Sequence, residues 1–309
     1  MAALTAPRWS TRADQALLVA LPDARRAMVE IVFVAALVLG GHASGIAFWV
    51  RALMVAALAL VAVGLVAPWS PRWSGFGQRV FALLVALAAV FVSLGPGDAL
   101  LAKDHVIVAT ALRDLVLIVF LLTLARVDGQ PLAALGIARE GAVRELRAAL
   151  PVTLGVFAVQ VTAAVPIALL ASLFHSGEHE ATERIDTLGR LSGQSSLPAF
   201  LAALVVAATF EEVCFRAFLT PRVRALTGSW SFAAVIVSLL FGLGHMYEGT
   251  LAVAQTAILG LYFTAAFLAR RRLLAVVVAH ATFNAVMFVF VRAILASGAI
   301  DRLKALAPH

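Results

Sequence analysis

The sequence predicts an all-α membrane protein, a polytopic bundle of about eight or nine transmembrane helices. Of its 309 residues, 62% are hydrophobic and only 13% are charged, whereas soluble domains usually carry about 25% charged residues. The apolar segments are continuous over about 20 residues, which is the length that a helix needs to cross the hydrocarbon core. Barrel strands would instead alternate apolar and polar residues. Helices are therefore the predicted spanning elements.

Nine apolar segments bounded by charge, Pro or Gly are the candidate spans. They lie near 27–49, 51–68, 79–97, 105–126, 147–174, 197–219, 229–247, 250–269 and 272–296. The fourth is interrupted by Arg113 and Asp114, and the second is short. We divide the chain into a cytosolic lead-in (1–26), a scaffold of N-terminal membrane helices (27–174) and a set of helices (197–296) that carries the chemically active residues described below.

The charge pattern indicates a membrane topology and no nucleic-acid partner. The net charge is +7, but the basic residues are dispersed among short loops between the apolar segments. With the N-terminus in the cytosol, 16 of the 24 Lys and Arg residues fall on the cytosolic side and six outside, as the positive-inside rule requires. Arg outnumbers Lys 22 to 2 and Ala is abundant, which favours a bacterial protein of the cell membrane.

An acidic and basic stretch near the end of the sixth segment organises the chain: Phe210-Glu211-Glu212-Val213-Cys214-Phe215-Arg216. A charge at mid-bilayer costs ~2.5–3.5 kcal/mol on insertion scales, so ionisable residues in a spanning helix indicate function. Glu212 and Arg216 are four residues apart, share a helix face and are expected to form an ion pair. Glu211 is rotated by ~100° from Glu212, so we expect it to face a different helix.

A hairpin of the sixth and seventh segments is predicted to turn at Gly228. Glu211 lies 17 residues before this glycine and His245 lies 17 after it. In an antiparallel pair, equal separation from the turn means equal depth, so the carboxylate and the imidazole can face each other. Phe241, one turn before His245, would share its face and wall the same cavity.

The last segment supplies two further polar residues. His280 follows the Arg270–Arg272 cluster by eight residues, and Asn284 lies one turn deeper on the same face. At ~1.5 Å per residue, they lie roughly 12 to 18 Å inside the membrane surface. His280 and Asn284 are therefore predicted to meet Glu211 and His245 in one cavity.

Two kinds of chemistry fit this set. A buried glutamate can act as a general base toward water, while an imidazole and an amide can donate hydrogen bonds to a developing oxyanion. Alternatively, Glu211, His245 and His280 are the ligands of a divalent metal such as zinc with an open position, and Asn284 adds an oxygen ligand. The residues alone do not choose between these two.

The three motifs resemble those of a known family. In order along successive segments they are Glu211-Glu212-x-x-x-Arg216, Phe241-x-x-x-His245 and His280-x-x-x-Asn284. This set is similar to the CPBP family of intramembrane proteases, which includes type II CAAX prenyl endopeptidases and bacterial proteins linked to bacteriocin processing and self-immunity. The resemblance covers roughly residues 197–290.

The resemblance implies hydrolysis of a peptide bond in or near the membrane. By position it implies that Glu211 is the essential glutamate and His245 the water-positioning histidine. It assigns His280 and Asn284 to oxyanion stabilisation or metal binding. The remaining motif residues, which are expected to support the site, are Glu212, Arg216 and Phe241.

We therefore expect an intramembrane endopeptidase acting on a membrane-associated protein or peptide. A prenylated substrate is less expected, because bacteria generally lack prenylated CAAX proteins. One alternative is a non-proteolytic scaffold or binding protein of the same fold. Another is a proton-coupled transporter, although no inverted pair of broken helices is visible in the sequence.

Overall fold

A computed structural model describes residues 21–40, 48–66, 75–94, 106–173 and 196–297. Of the predicted lead-in, residues 1–20 lie outside these ranges. Within them the chain is helical, with short turns and no strand. The predicted polytopic helical bundle is confirmed.

Nine long helices occur in the described ranges, one in each predicted span. They are α1 (Ala24–Gly40), α2 (Phe48–Val66), α3 (Phe76–Leu94), α4 (Val106–Val127), α5 (Ala142–Leu173), α6 (Leu197–Thr227), α7 (Trp230–Leu243), α8 (Thr250–Arg270) and α9 (Leu274–Ala296). Six of these, α3 to α6 with α8 and α9, are long and apolar enough to cross a membrane, while α2 and α7 are shorter apolar helices.

Helix α7 ends earlier than the sequence predicts. The apolar segment extends to 247, but the helix ends at Leu243 and His245 lies in the turn that follows. The backbone N–H of His245 donates to Gly242 O at 2.9 Å, which is the three-residue hydrogen bond of a 3₁₀ turn. Gly242 and Gly244 lower the helix propensity at this point.

Helix α6 changes its winding beside Pro221. Residues Glu212–Leu219 are π-helical, between α-helical turns on either side. The Thr220 N–H and hydroxyl both donate to Phe215 O, the hydroxyl at 2.7 Å. Pro221 has no N–H to continue an α-helical ladder, and the wider winding comes directly before it. Such segments are rare and often lie at functional sites.

The loop 128–141, the turn at Gly228 and the turn 271–273 lie at one end of the bundle, which we call the basic end. Here Leu273 N–H donates to Gly136 O at 3.1 Å. Arg270 donates two hydrogen bonds, of 3.0 and 2.9 Å, to the Glu145 carboxylate. Scaffold and C-terminal helices are therefore joined at this end.

Four charged side chains form an ionic cluster at the basic end: Arg26, Glu30, Asp128 and Arg222. Arg222 is fully buried and donates to Glu30 and, at 2.6 Å, to Asp128. Arg26 lies 3.0 Å from Glu30 and 2.8 Å from Asp128. The two arginines and two carboxylates neutralise one another. They tie α1 and the end of α4 to α6, a contact that the sequence did not reveal.

Replacing Arg222 with Met is expected to destabilise the protein strongly. Two buried carboxylates would remain with Arg26 alone, and breaking a buried ion pair costs about 3–5 kcal/mol. Because Cys214 is the single cysteine and is fully buried, its reaction with a thiol-reactive dye in detergent reports thermal unfolding. Arg139→Met, at an exposed position, is the control. Equal unfolding midpoints for the two variants would contradict this account of the cluster.

Candidate active site

The Glu212 carboxylate lies at the centre of the site. Its Oε1 is 3.1 Å from Arg216 Nη1 and accepts a hydrogen bond of 2.8 Å from His280 Nδ1. The Glu212 and Arg216 side chains have no exposed surface. The predicted ion pair is confirmed, whereas the contact with His280 was not predicted.

His280 also contacts the neighbouring glutamate. Its Nε2 lies 3.5 Å from Glu211 Oε2, so one ring nitrogen faces each carboxylate. Glu211 therefore meets another helix, as expected, and the helix is α9; that Glu212 contacts the same ring was not expected. Glu211 and Glu212 both have α-helical dihedrals, so their side chains leave α6 about 100° apart and reach different nitrogens of the one ring.

The two glutamates differ in their partners. Glu212 has both a guanidinium and an imidazole N–H within reach. Glu211 is 21% exposed, and its buried Oε2 receives no hydrogen bond from the described residues. Because a carboxylate only accepts, the bond to Glu212 assigns a proton to His280 Nδ1. Glu211 is thus the less neutralised carboxylate of the two.

Aromatic rings enclose the Arg216 guanidinium. Its carbon lies 4.3 Å from the ring centroid of Phe241 and 5.3 Å from that of Phe263, distances typical of cation–π contacts. Arg216 Nη2 also donates to Gly260 O at 3.3 Å. A Cβ on Gly260 would come within 2.9 Å of Phe241, so glycine permits this close approach of α7 and α8.

His245 is positioned by the predicted hairpin. The rings of Phe215 and Phe241, each 13 residues from Gly228, are 5.0 Å apart, which is the predicted antiparallel register. His245 Nδ1 lies 2.9 Å from Phe241 O. A carbonyl only accepts, so Nδ1 donates and Nε2 is the acceptor in the neutral ring. The centroid of the Phe241 ring lies 4.9 Å from that of the His245 ring and 6.1 Å from that of the His280 ring.

The remaining predicted residue, Asn284, is half-buried one turn beyond His280 on α9. Phe263 of α8, which carries no motif, stacks on the His280 ring at 4.6 Å. An aromatic residue inside an apolar segment gives no sequence signal for such a contact. The site therefore combines motif residues from α6, α7 and α9 with an unpredicted ring from α8.

The metal hypothesis was tested against the arrangement of the donor atoms. In the described ranges, no three His, Cys, Asp or Glu side chains are placed to hold a metal ion. In this arrangement Glu211, His245 and His280 do not form a set of metal ligands.

These features define a helical membrane protein with a buried carboxylate–imidazole site. Residues 193–286 match the model of the family described as Type II CAAX prenyl endopeptidase Rce1-like. The match covers 94 of the 309 residues and confirms the resemblance drawn from the three motifs. At the level of the family it supports a CAAX-type intramembrane protease. Searches among curated proteins and among solved structures gave no match.

Replacing Arg216 with Met is expected to lower the free energy of unfolding by about 3–5 kcal/mol, because Glu212 loses its buried counter-ion. Adding Glu212→Gln to the same protein removes the stranded charge and should restore much of the loss. Thermal unfolding followed through Cys214 measures both effects. A double variant that is less stable than Arg216→Met would show that the charge pair is not the source of the stability.

Proposed function

We propose that this protein is an intramembrane endopeptidase that hydrolyses a peptide bond of a membrane-associated protein or peptide. Glu211 is the general base that activates water. The Rce1-like match over residues 193–286 supports the reaction class. The geometry supports the choice of glutamate.

The unequal surroundings of the two glutamates carry this proposal. Glu212 Oε1 is bound by Arg216 and by His280 Nδ1, and the Glu212 side chain has no exposed surface, so it is closed to water and substrate. Glu211 has the Nε2 edge of His280 at 3.5 Å, and its side chain is 21% exposed. A general base must reach both a water molecule and the substrate. Glu211 meets this requirement better than Glu212.

The reaction begins when Glu211 takes a proton from water and the oxygen attacks the carbonyl carbon of the peptide bond. The oxyanion that forms is stabilised by hydrogen-bond donors. Glu211 then returns the proton to the leaving nitrogen as the C–N bond breaks. The products are one carboxyl and one amino terminus, and the enzyme is unchanged.

The other motif residues position the reactants. His245, with Nδ1 bonded to Phe241 O, presents Nε2 as an acceptor that can orient the attacking water. His280, held by Glu212, can donate from Nε2 to the oxyanion in its imidazolium form. Asn284, one turn away on α9, supplies an amide donor for the same oxygen.

Glu211→Gln is expected to reduce cleavage by at least ~10²–10⁴-fold, because the amide cannot accept the proton of water. The purified protein in nanodiscs is incubated with a panel of membrane-tethered and prenylated peptides, and products are identified by mass spectrometry. Glu140→Gln, at an exposed position, controls for loss of a carboxylate. A parallel series with a chelator tests metal dependence.

Full activity of Glu211→Gln would refute the assignment of the base. Protein that cleaves none of the peptides, while retaining a cellular function that tolerates Glu211→Gln, would favour the scaffold alternative. Wild-type activity that is lost only when the chelator is added would favour the metal-dependent alternative.

We also propose that the basic end faces the cytosol of a bacterial cell. The excess of Lys and Arg at this end supports the orientation.

Glu140→Cys at the basic end should react with an impermeant thiol reagent only after the cells are permeabilised, while Ser297→Cys beyond the end of α9 should react in intact cells. Both positions are exposed, and buried Cys214 gives little background. The reverse labelling pattern would invert the topology.

A further inference from the structure

Three helix ends meet around the Trp230 side chain at the basic end. Trp230 is the first residue of α7, Arg224 lies in the last turn of α6, and Arg271 caps the end of α8. The guanidinium carbon lies 5.7 Å from the Trp230 ring centroid for Arg224 and 4.7 Å for Arg271. We call these three residues the Trp230 cluster. None of them belongs to the proposed active site.

The Arg224 guanidinium is not neutralised by the described carboxylates of this end. Glu145 is bound by Arg270, and Asp128 belongs to the ionic cluster. In the part of the chain that the structure describes, the Arg224 side chain makes no hydrogen bond or ion pair, and its Nε is buried. Buried N–H groups are normally bonded to an acceptor. This charged donor therefore suits an anionic ligand.

The backbone of Arg271 indicates a use for its side chain. Arg271 has a φ of 55°, and it is the one non-glycine residue with a positive φ in the described ranges. This left-handed conformation favours glycine, which is the residue most often found directly after a helix. A strained backbone held by a bulky, charged residue is a reason to look for a function of that residue.

The Trp230 cluster lies at the ends of two candidate membrane spans, α6 and α8. Tryptophan is enriched at such membrane interfaces. Large apolar side chains near the cluster are exposed, Leu226 on α6 by 37% and Phe232 on α7 by 57%. Val235 and Leu239, which are also exposed, continue the face of Phe232 along α7 at helical spacing. The cluster therefore borders the lipid phase at the level of the head groups.

We propose that the Trp230 cluster binds the phosphate of an anionic phospholipid such as phosphatidylglycerol. The planar N–H donors of a guanidinium match the oxygens of a phosphate, and basic pockets at the ends of membrane helices suit anionic head groups. The acyl chains lie along the exposed apolar face of α7, which a soluble phosphate ester could not use. A bound lipid links the ends of α6, α7 and α8, and the proposal does not depend on the peptidase function.

The test measures lipid selectivity by native mass spectrometry of the full-length protein. Delipidated protein in detergent is titrated with an equimolar mixture of phosphatidylglycerol and phosphatidylcholine that have the same acyl chains. One arginine near the membrane surface raises the affinity for an anionic lipid about 5-fold, so two arginines should give a preference of about 25-fold for phosphatidylglycerol at the first bound lipid. Equal binding of the two lipids by the wild-type protein would overturn the proposal.

Two double variants of equal charge locate the preference. Arg224→Gln/Arg271→Gly removes both guanidiniums, and its preference should fall by about 25-fold. Arg139→Gln/Arg147→Gln removes two exposed arginines near the same end and should keep the wild-type preference. Equal loss in both would assign the preference to overall charge and refute the site. Arg271→Gly alone relieves the left-handed backbone, so it should fold and still lose about 5-fold if the double variant is unstable.

A competition experiment separates a lipid from a soluble phosphate. Glycerol 3-phosphate carries a phosphate but no acyl chains, so an excess of it should leave phosphatidylglycerol bound to the wild-type protein. Displacement of the lipid by glycerol 3-phosphate at a concentration equal to that of the lipid would show that the cluster recognises a soluble phosphate ester, and would overturn the assignment to a lipid. Because only binding is measured, the result stands whether or not the protein cleaves a peptide.

Discussion

The buried carboxylate of Glu212 is the constraint on which the site depends. A buried charge must have partners, and Glu212 obtains them from two places, Arg216 on its own helix and His280 on α9. These contacts place the His280 ring against Glu211 as well. Glu212, which was expected to support the site, therefore orients the imidazole of His280. Removing its charge would disturb the site through both partners.

The scaffold half of the chain positions this site although the family match does not include it. The match covers residues 193–286, but α6 is held by Arg222 in the ionic cluster with Glu30 of α1 and Asp128 after α4. Asp114 of α4 is also buried in the bundle, where it pairs with Arg113. The N-terminal helices thus both set the position of α6 and contribute charged groups to the membrane interior.

How much of the structure could be predicted depends on how far apart in the sequence the interacting residues are. The nine helices and the pair Glu212–Arg216 depend on local patterns, and they were predicted. The register of Phe215 with Phe241 follows from counting outward from Gly228. In contrast, the ionic cluster joins residues as much as 192 positions apart, and no periodicity reports such a contact. The positive-inside count placed Arg216 and Arg222 on the cytosolic side, although both side chains are fully buried in the bundle.

The sharing of one imidazole by two adjacent glutamates is a further contact that no local pattern reports. Glu211 and Glu212 both have α-helical dihedrals, so their side chains leave α6 about 100° apart. They nevertheless meet the same ring, because Nε2 of His280 faces Glu211 and Nδ1 faces Glu212. The position of α9 beside α6, and not the local winding of α6, therefore brings one buried and one partly exposed carboxylate to a single imidazole.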